Sequence, residues 1–257
     1  MFAKLFRPRT AASNDPKGSI PDGQRIYAIG DIHGRLDLLR ELLARVEQDD
    51  ASRPAAETLL IFLGDLIDRG PESAQVVEHL KQYAASRPAG SVRFLAGNHE
   101  EVFLSCLDGD EKALRFFTKI GGKETILSYG FSDAEYGALD YSELSTELQN
   151  RVPAAHKTFL TEFEDMIVAG DYAFVHAGIR PAEPLARQRT KDLRWIRSEF
   201  IEHAGPFEKI VVHGHTITET VETTRYRIGL DTGAYASGKL TAMGFEGEER
   251  WVLDTAA

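Results

Sequence analysis

The stretch IFLGDLIDRGPES, Ile61–Ser73, breaks an apolar run with Gly64-Asp65 and then places Asp68, Arg69 and Gly70 just beyond it. A short apolar run bounded by glycine and acid reads as a buried strand ending in a loop. Two acids and an arginine at such an end raise the question of what they serve. The same break occurs in YAIGDIHG, Tyr27–Gly34, and in RFLAGNHE, Arg93–Glu100.

Working outward, RIYAIGD, TLLIFLGD, SVRFLAGN, YAFVHAG, KIVVHGH, RIGLDTG, KLTAMGF and RWVLD form a set of about eight expected strands. Their near-continuous apolar character predicts strands covered on both faces. Helical patterns lie between the first of them. In RLDLLRELLARVEQ, Leu36, Leu39, Leu43 and Val46 share one stripe, and SAQVVEHLKQYAAS behaves likewise. Alternating strand and helix predicts an α/β fold. Residues 122–163 are acidic and helical, and read as an inserted cap. Residues 1–24 begin MFAKLFRPRT and continue through a small, polar, Pro- and Gly-containing stretch, which predicts a flexible leader. The folded domain is expected over 25–257.

The chain has 257 residues, of which 42% are hydrophobic, enough for a full core. Its formal net charge of −10 argues against a nucleic-acid surface built on bulk charge. The single cysteine, Cys106, excludes an internal disulfide and suits a reducing cytoplasm. It sits on an apolar helical face, as a buried thiol would. No stretch approaches the roughly 20 apolar residues of a membrane span.

Ligands of open α/β sheets lie beyond the carboxyl ends of the strands. Here five strand ends carry Asp31 and His33, then Asp65 and Asp68, then Asn98 and His99, then His176, then His213 and His215. Carboxylate and imidazole without thiolate suit manganese, iron or zinc. The number of donors is enough for two metals, which one carboxylate can bridge at roughly 3.5–4 Å.

The ordered set GDIHG, GDLIDRG, GNHE, HAG and HGHT resembles the phosphoprotein phosphatase family of calcineurin-like metallophosphoesterases, in particular bacterial and phage serine/threonine phosphatases. The resemblance runs from Gly30 to about Gly233. It implies a four-layer αββα sandwich and a centre of two divalent cations, with manganese the favoured ion. By resemblance Asp31, His33 and Asp65 hold the first metal, Asp65 bridges, and Asn98, His176 and His215 complete the second. His213 is then extra, a packing or supporting histidine. The implied reaction is in-line attack on phosphorus by a metal-bridging hydroxide. Arg69 and Arg197 bind the phosphate, since guanidinium offers a fork to its oxygens. His99 is the implied general acid and Asp68 its carboxylate partner. Glu100 is expected at a helix start or as a supporting group.

Ala96 stands where many eukaryotic members carry arginine, so one phosphate contact is missing or comes from the cap, Lys123 or Arg180. LDTGA, Leu230–Ala234, matches an aspartic protease tripeptide, but that chemistry needs two such aspartates and only one copy is present. GGKET at Gly121 lacks the spacing of a nucleotide P-loop. The expected activity is that of a serine/threonine protein phosphatase acting on a phosphorylated protein. The alternative is a bis(5′-nucleosyl)-tetraphosphatase. In that branch the second motif tends to lose its middle aspartate and the third to end in aspartate, whereas Asp68 and Glu100 are kept here. A small-molecule phosphatase and a metal-binding scaffold are the remaining readings.

Overall fold

Burial on two faces explains the apolar runs. The computed structural model of the chain describes residues 18–256, and the ten strands named here lie within them. Strand β1 (Gln24–Ile29) sends Ile26 and Ala28 to one side and Tyr27 and Ile29 to the other, and all four are buried. Strand β2 (Glu57–Phe62) does the same with Ile61 and Phe62, and β3 (Val92–Phe94) leads Phe94 and then Leu95 to opposite sides. A strand sandwiched this way has no solvent face on which to alternate.

Seven further strands follow: β4 (Met166–Ala169), β5 (Tyr172–Val175), β6 (Ile210–His213), β7 (Glu222–Thr223), β8 (Arg227–Gly229), β9 (Thr241–Glu246) and β10 (Glu249–Asp254). They complete two five-stranded sheets, ordered β10-β9-β1-β2-β3 and β4-β5-β6-β8-β7. Within the first, β1, β2 and β3 run parallel; within the second, β5, β6 and β8 do. Between the sheets lies a core that includes Ile26, Ile61, Tyr172, Phe174, Val212 and Phe245. The eight expected strands are all present. The sequence reading passed over β4, which follows an acidic helical stretch, and β7, which has only two residues.

Helices cover both outer faces. Against the first sheet pack α1 (Leu36–Ser52), α2 (Ser73–Ala85) and α3 (Asn98–Leu107), followed by α4 (Glu111–Phe117). The inserted region contributes α5 (Gly122–Ser128), α6 (Asp133–Ala138), α7 (Tyr141–Arg151) and α8 (Ala154–Thr161). Its Ile126, Phe131, Leu144, Leu148 and Leu160 are buried in the same core as α1 to α3, so it extends the helical layer. Against the second sheet lie α9 (Thr190–Trp195) and α10 (Ser198–Ile201), through Leu193 and Phe200. The layers are therefore helix, sheet, sheet, helix. Cys106 is buried within α3, where burial pushes its thiol up to about 12. No helix among the described residues is long and apolar enough to cross a membrane.

The flexible leader expected over 1–24 falls mostly outside the described residues, but its last part is docked. Ile20 is fully buried between the sheets, and its N–H donates to Gly247 O at 2.9 Å. Tyr172 Oη donates to Gly18 O at 2.9 Å. One apolar residue among small and polar neighbours is enough to anchor the segment, and average composition conceals it. Replacing Ile20 with alanine is expected to cost about 2–5 kcal/mol of unfolding free energy in a denaturant titration. A loss within about 0.5 kcal/mol, typical of a surface site, would refute the docking.

Candidate metal centre and acid pair

The parallel strands bring their carboxyl ends to one edge of the sandwich. Asp31 and His33 follow β1, Asp65 and Asp68 follow β2, and Asn98 and His99 follow β3. From the second sheet, His176 follows β5 and His215 follows β6. The two sets of tips touch closely. A Cβ placed on Gly214 would stand 2.0 Å from Asp31 Oδ1, and one on Gly64 would stand 2.9 Å from His176 Nδ1. Only glycine permits these approaches.

Among the described residues, five with side chains have positive φ: His33 (46°), Asp65 (50°), Asp68 (73°), Arg69 (67°) and His215 (62°). All five belong to the expected site. Each such residue costs on the order of 1–3 kcal/mol and persists only where its surroundings enforce it.

Two groups of donors share Asp65. His33, Asp65 and His99 offer atoms within 4.8 Å of one another, and so do Asp65, His176 and His215. In the second group His176 Nε2 lies 3.1 Å from Asn98 Oδ1, 3.2 Å from His215 Nδ1 and 3.4 Å from Asp65 Oδ1. Two ring nitrogens facing each other need a proton or a cation between them. His176 Nδ1 donates to Leu63 O at 2.7 Å, and His33 Nδ1 donates to Ile67 O at 2.7 Å. These carbonyls fix a proton on each Nδ1 and turn each Nε2 into the centre, the orientation of a ligating imidazole, while burial of His176 is outweighed by Asp65, which holds it above its ordinary value. Burial pulls His33 down to about 3 and His215 down to about 2, so both are neutral, the form that binds a metal. The residues present therefore fit divalent cations.

Asp31 and His99 depart from the expected grouping. Asp31 accepts the backbone N–H of His215 at 3.2 and 3.0 Å and lies outside both compact groups, while His99 joins the first. Arg69 faces the same place: Nη1 donates to His33 Nε2 at 2.8 Å and Nη2 to His99 Nε2 at 3.1 Å.

The expected acid pair is present. His99 Nδ1 lies 2.5 Å from Asp68 Oδ2, and both residues are buried. Burial opposes the imidazolium, but Asp65 and Asp68 outweigh it and hold His99 above its ordinary value. Asp68 is itself clamped. Its Oδ1 accepts Thr125 Oγ1 at 2.6 Å, and its backbone N–H is shared by Ser73 Oγ at 3.0 Å and Thr125 Oγ1 at 2.9 Å. Neither Ser73, at the end of the quoted Ile61–Ser73 stretch, nor Thr125 is expected in this role from the sequence; Thr125 comes from α5, 57 positions away, and nothing local links it to the motif.

The remaining cations separate cleanly. Arg197 is exposed, with Nη1 3.4 Å from His215 O, and stands beside the centre. Arg194, its neighbour in sequence, is tied to Asp165 and Glu101. Arg180 pairs with Asp192 and Glu199, and Lys123 with Asp133, so neither replaces the arginine absent at Ala96. His213 is buried but packs edge-on against Phe200 at 5.1 Å, outside the donor groups.

Glu100 holds the two central loops together. Its carboxylate accepts Asp65 N–H at 2.9 Å, Leu66 N–H at 2.8 Å and Gly97 N–H at 2.9 Å. The last bond also closes the start of α3. Glu100→Ala strands three buried donors, each at about 1–3 kcal/mol. The expected loss is therefore several kcal/mol of unfolding free energy in chelator-treated protein. A variant as stable as the parent would show that the loops hold without it.

A family model described as calcineurin-like phosphoesterase matches residues 24–240. The asymmetrical bis(5′-nucleosyl)-tetraphosphatase PrpE of Oceanobacillus iheyensis is 28% identical over 255 residues, covering 88% of this chain and 90% of that protein. Shewanella-like protein phosphatase 2 of Arabidopsis thaliana is 27% identical over 188 residues, covering 61% of this chain and 46% of that protein. A solved structure described as a candidate diadenosine tetraphosphatase superposes with a TM-score of 0.60 at 22% identity, covering 93% of this chain and 95% of the other, a likeness of fold. With the strand-tip donors and the family match in agreement, the chain belongs to the calcineurin-like phosphoesterases.

Proposed function

We propose that this phosphoesterase hydrolyses the polyphosphate bridge of a bis(5′-nucleosyl) tetraphosphate. The observation that carries the reading is the reach of the PrpE match, which spans 88% of this chain and 90% of that protein. The protein phosphatase expected first has a narrower counterpart, at 61% of this chain. One of the two motif details behind that expectation also loses its force. Glu100 spends its carboxylate on three backbone N–H groups, so its identity reports loop geometry and says nothing of substrate.

Asp31, His33 and Asp65 would hold one divalent cation and Asp65, Asn98, His176 and His215 the other, manganese being the favoured ion. Such a pair supplies Lewis acidity and a water of lowered pKa. Arg69 and Arg197 bind the phosphate oxygens, on which charge gathers as the bridging P–O bond breaks. For this, Arg69 turns from the ring nitrogens of His33 and His99 to the substrate. The same movement frees His99 Nε2, which can then carry a proton to the departing oxygen while Asp68 stabilises the imidazolium.

A phosphoserine or phosphothreonine ester is the second reading, favoured by the His99–Asp68 pair. An alkoxide leaving group requires a proton, whereas a nucleotide leaves through a weakly basic phosphate oxygen.

The manganese-loaded protein is expected to turn over diadenosine tetraphosphate with kcat/KM at least about tenfold above that for a phosphothreonine peptide, a difference of about 1.4 kcal/mol in transition-state binding. The opposite order would return the assignment to the protein phosphatase, and no turnover of either would overturn both. His99→Asn is expected to slow an alkyl phosphate by about 10²–10⁴-fold and p-nitrophenyl phosphate far less, since p-nitrophenolate leaves unaided. Equal losses on the two esters would count against the acid role.

A further inference from the structure

Strand β8 also runs parallel to β6, and its carboxyl end reaches the edge that carries the metal ligands. The residue there is Asp231, the acid of the LDTGA stretch that the protease comparison left without a role. It is 1% exposed. One carboxylate oxygen, Oδ1, accepts Gly233 N–H at 2.9 Å, while Oδ2 is buried with no hydrogen-bond partner. The segment lies against the start of the first motif. A Cβ on Gly30 would stand 2.5 Å from Leu230 O and 3.5 Å from Asp231 N. Asp231 is thus the close neighbour of Asp31 across the two sheets.

A buried carboxylate with a free oxygen is costly, and beside other carboxylates more so. Asp31 and Asp65 are buried at the same edge, each 1% exposed. Among the described residues no guanidinium or ammonium contact reaches Asp231 Oδ2, and Arg69 donates to His33 and His99. A cation at Asp31 and Asp65 would relieve all three acids at once.

We propose that Asp231 is a further member of the cation-holding set, its free Oδ2 serving the metal assigned to Asp31, His33 and Asp65. The proposal rests on the ligand assignment of the preceding subsection and is independent of substrate. It makes the β8 tip the sixth to contribute to the centre, after those of β1, β2, β3, β5 and β6.

The test is titration of manganese into the chelator-treated full-length protein, followed by calorimetry and by the electron paramagnetic resonance of free Mn(II). Two variants are compared with the parent. Asp231→Asn keeps the shape and an acceptor for Gly233 N–H, and Asp231→Ser keeps a short acceptor. Both are expected to weaken one of two manganese sites by about tenfold or more, the range for groups that support a metal ligand. The melting temperature of the metal-free variants is expected to hold or rise, because a buried unpaired charge has gone. Unchanged manganese affinity overturns the proposal. Weaker binding accompanied by a lower metal-free melting temperature in both variants also overturns it, since that is the signature of a structural aspartate. A parent protein that binds fewer than two manganese ions overturns the underlying ligand assignment instead.

Discussion

The carboxylate of Glu100 is the point on which the site is built. It binds the loop after β2 through Asp65 N–H and Leu66 N–H and the loop after β3 through Gly97 N–H. Those loops carry Asp65, Asp68, Arg69, Asn98 and His99. Asp65, Asp68 and Arg69 lie in left-handed backbone, a conformation that side chains oppose. Three hydrogen bonds to one carboxyl in a dry interior hold far better than three exposed ones and so offset part of that strain. Gly97 completes the constraint, because any side chain there would strike Asp65. Fixing the loops fixes the angle at which donors from both sheets converge on Asp65.

What the loops hold in place is an unfavourable distribution of charge. Asp31, Asp65, Asp68, Glu100 and Asp231 are all buried at one edge of the sandwich. Burial and Asp65 push Glu100 up to about 7, and burial raises Asp68 and Asp231 as well. Such clustering is a cost to folding unless positive charge enters. Arg69 supplies one charge from within the chain, and its guanidinium lies over the ring of Tyr235 at 4.9 Å. The fold thus makes cation binding favourable by being uncomfortable without it, and Arg69 occupies part of that place in the metal-free chain.

Much of this was legible in the sequence because the strands are covered on both faces. Continuous apolar runs mark eight strands, and three of them end in Gly-Asp or Gly-Asn, where the chemistry at the tips is plainest. The parts that stayed hidden share a cause: they depend on contacts between elements distant in the chain. Thr125 reaches Asp68 across 57 positions, and only the fold brings it there. Ile20 docks between the sheets in a cluster that includes Tyr172, Ile210 and Phe245, all far downstream. The grouping of His99 with His33, and the placing of Asp31 against His215, likewise follow from how the two sheets meet. The family motif lists these residues in order but carries no distances.

The persistence of Asp68 does not choose between the two substrate classes. An acid pair is indispensable when the leaving group is a basic alkoxide, which is why Asp68 favours a protein phosphatase at first sight. In this structure the pair has a second use. Asp68 orients His99, His99 Nε2 receives Arg69, and Arg69 N–H donates to Gly121 O at 2.9 Å at the start of the inserted helices. The chain from Thr125 through Asp68 and His99 to Arg69 therefore parks the guanidinium proposed for phosphate at the edge of the centre, a short turn from where either a polyphosphate or a phosphoprotein would need it. An aspartate serving that chain would be kept even where no proton is transferred. The discriminating features then lie beyond the core, where α5 and the Gly121 turn flank Arg69 and decide what can stand beside a bound phosphate.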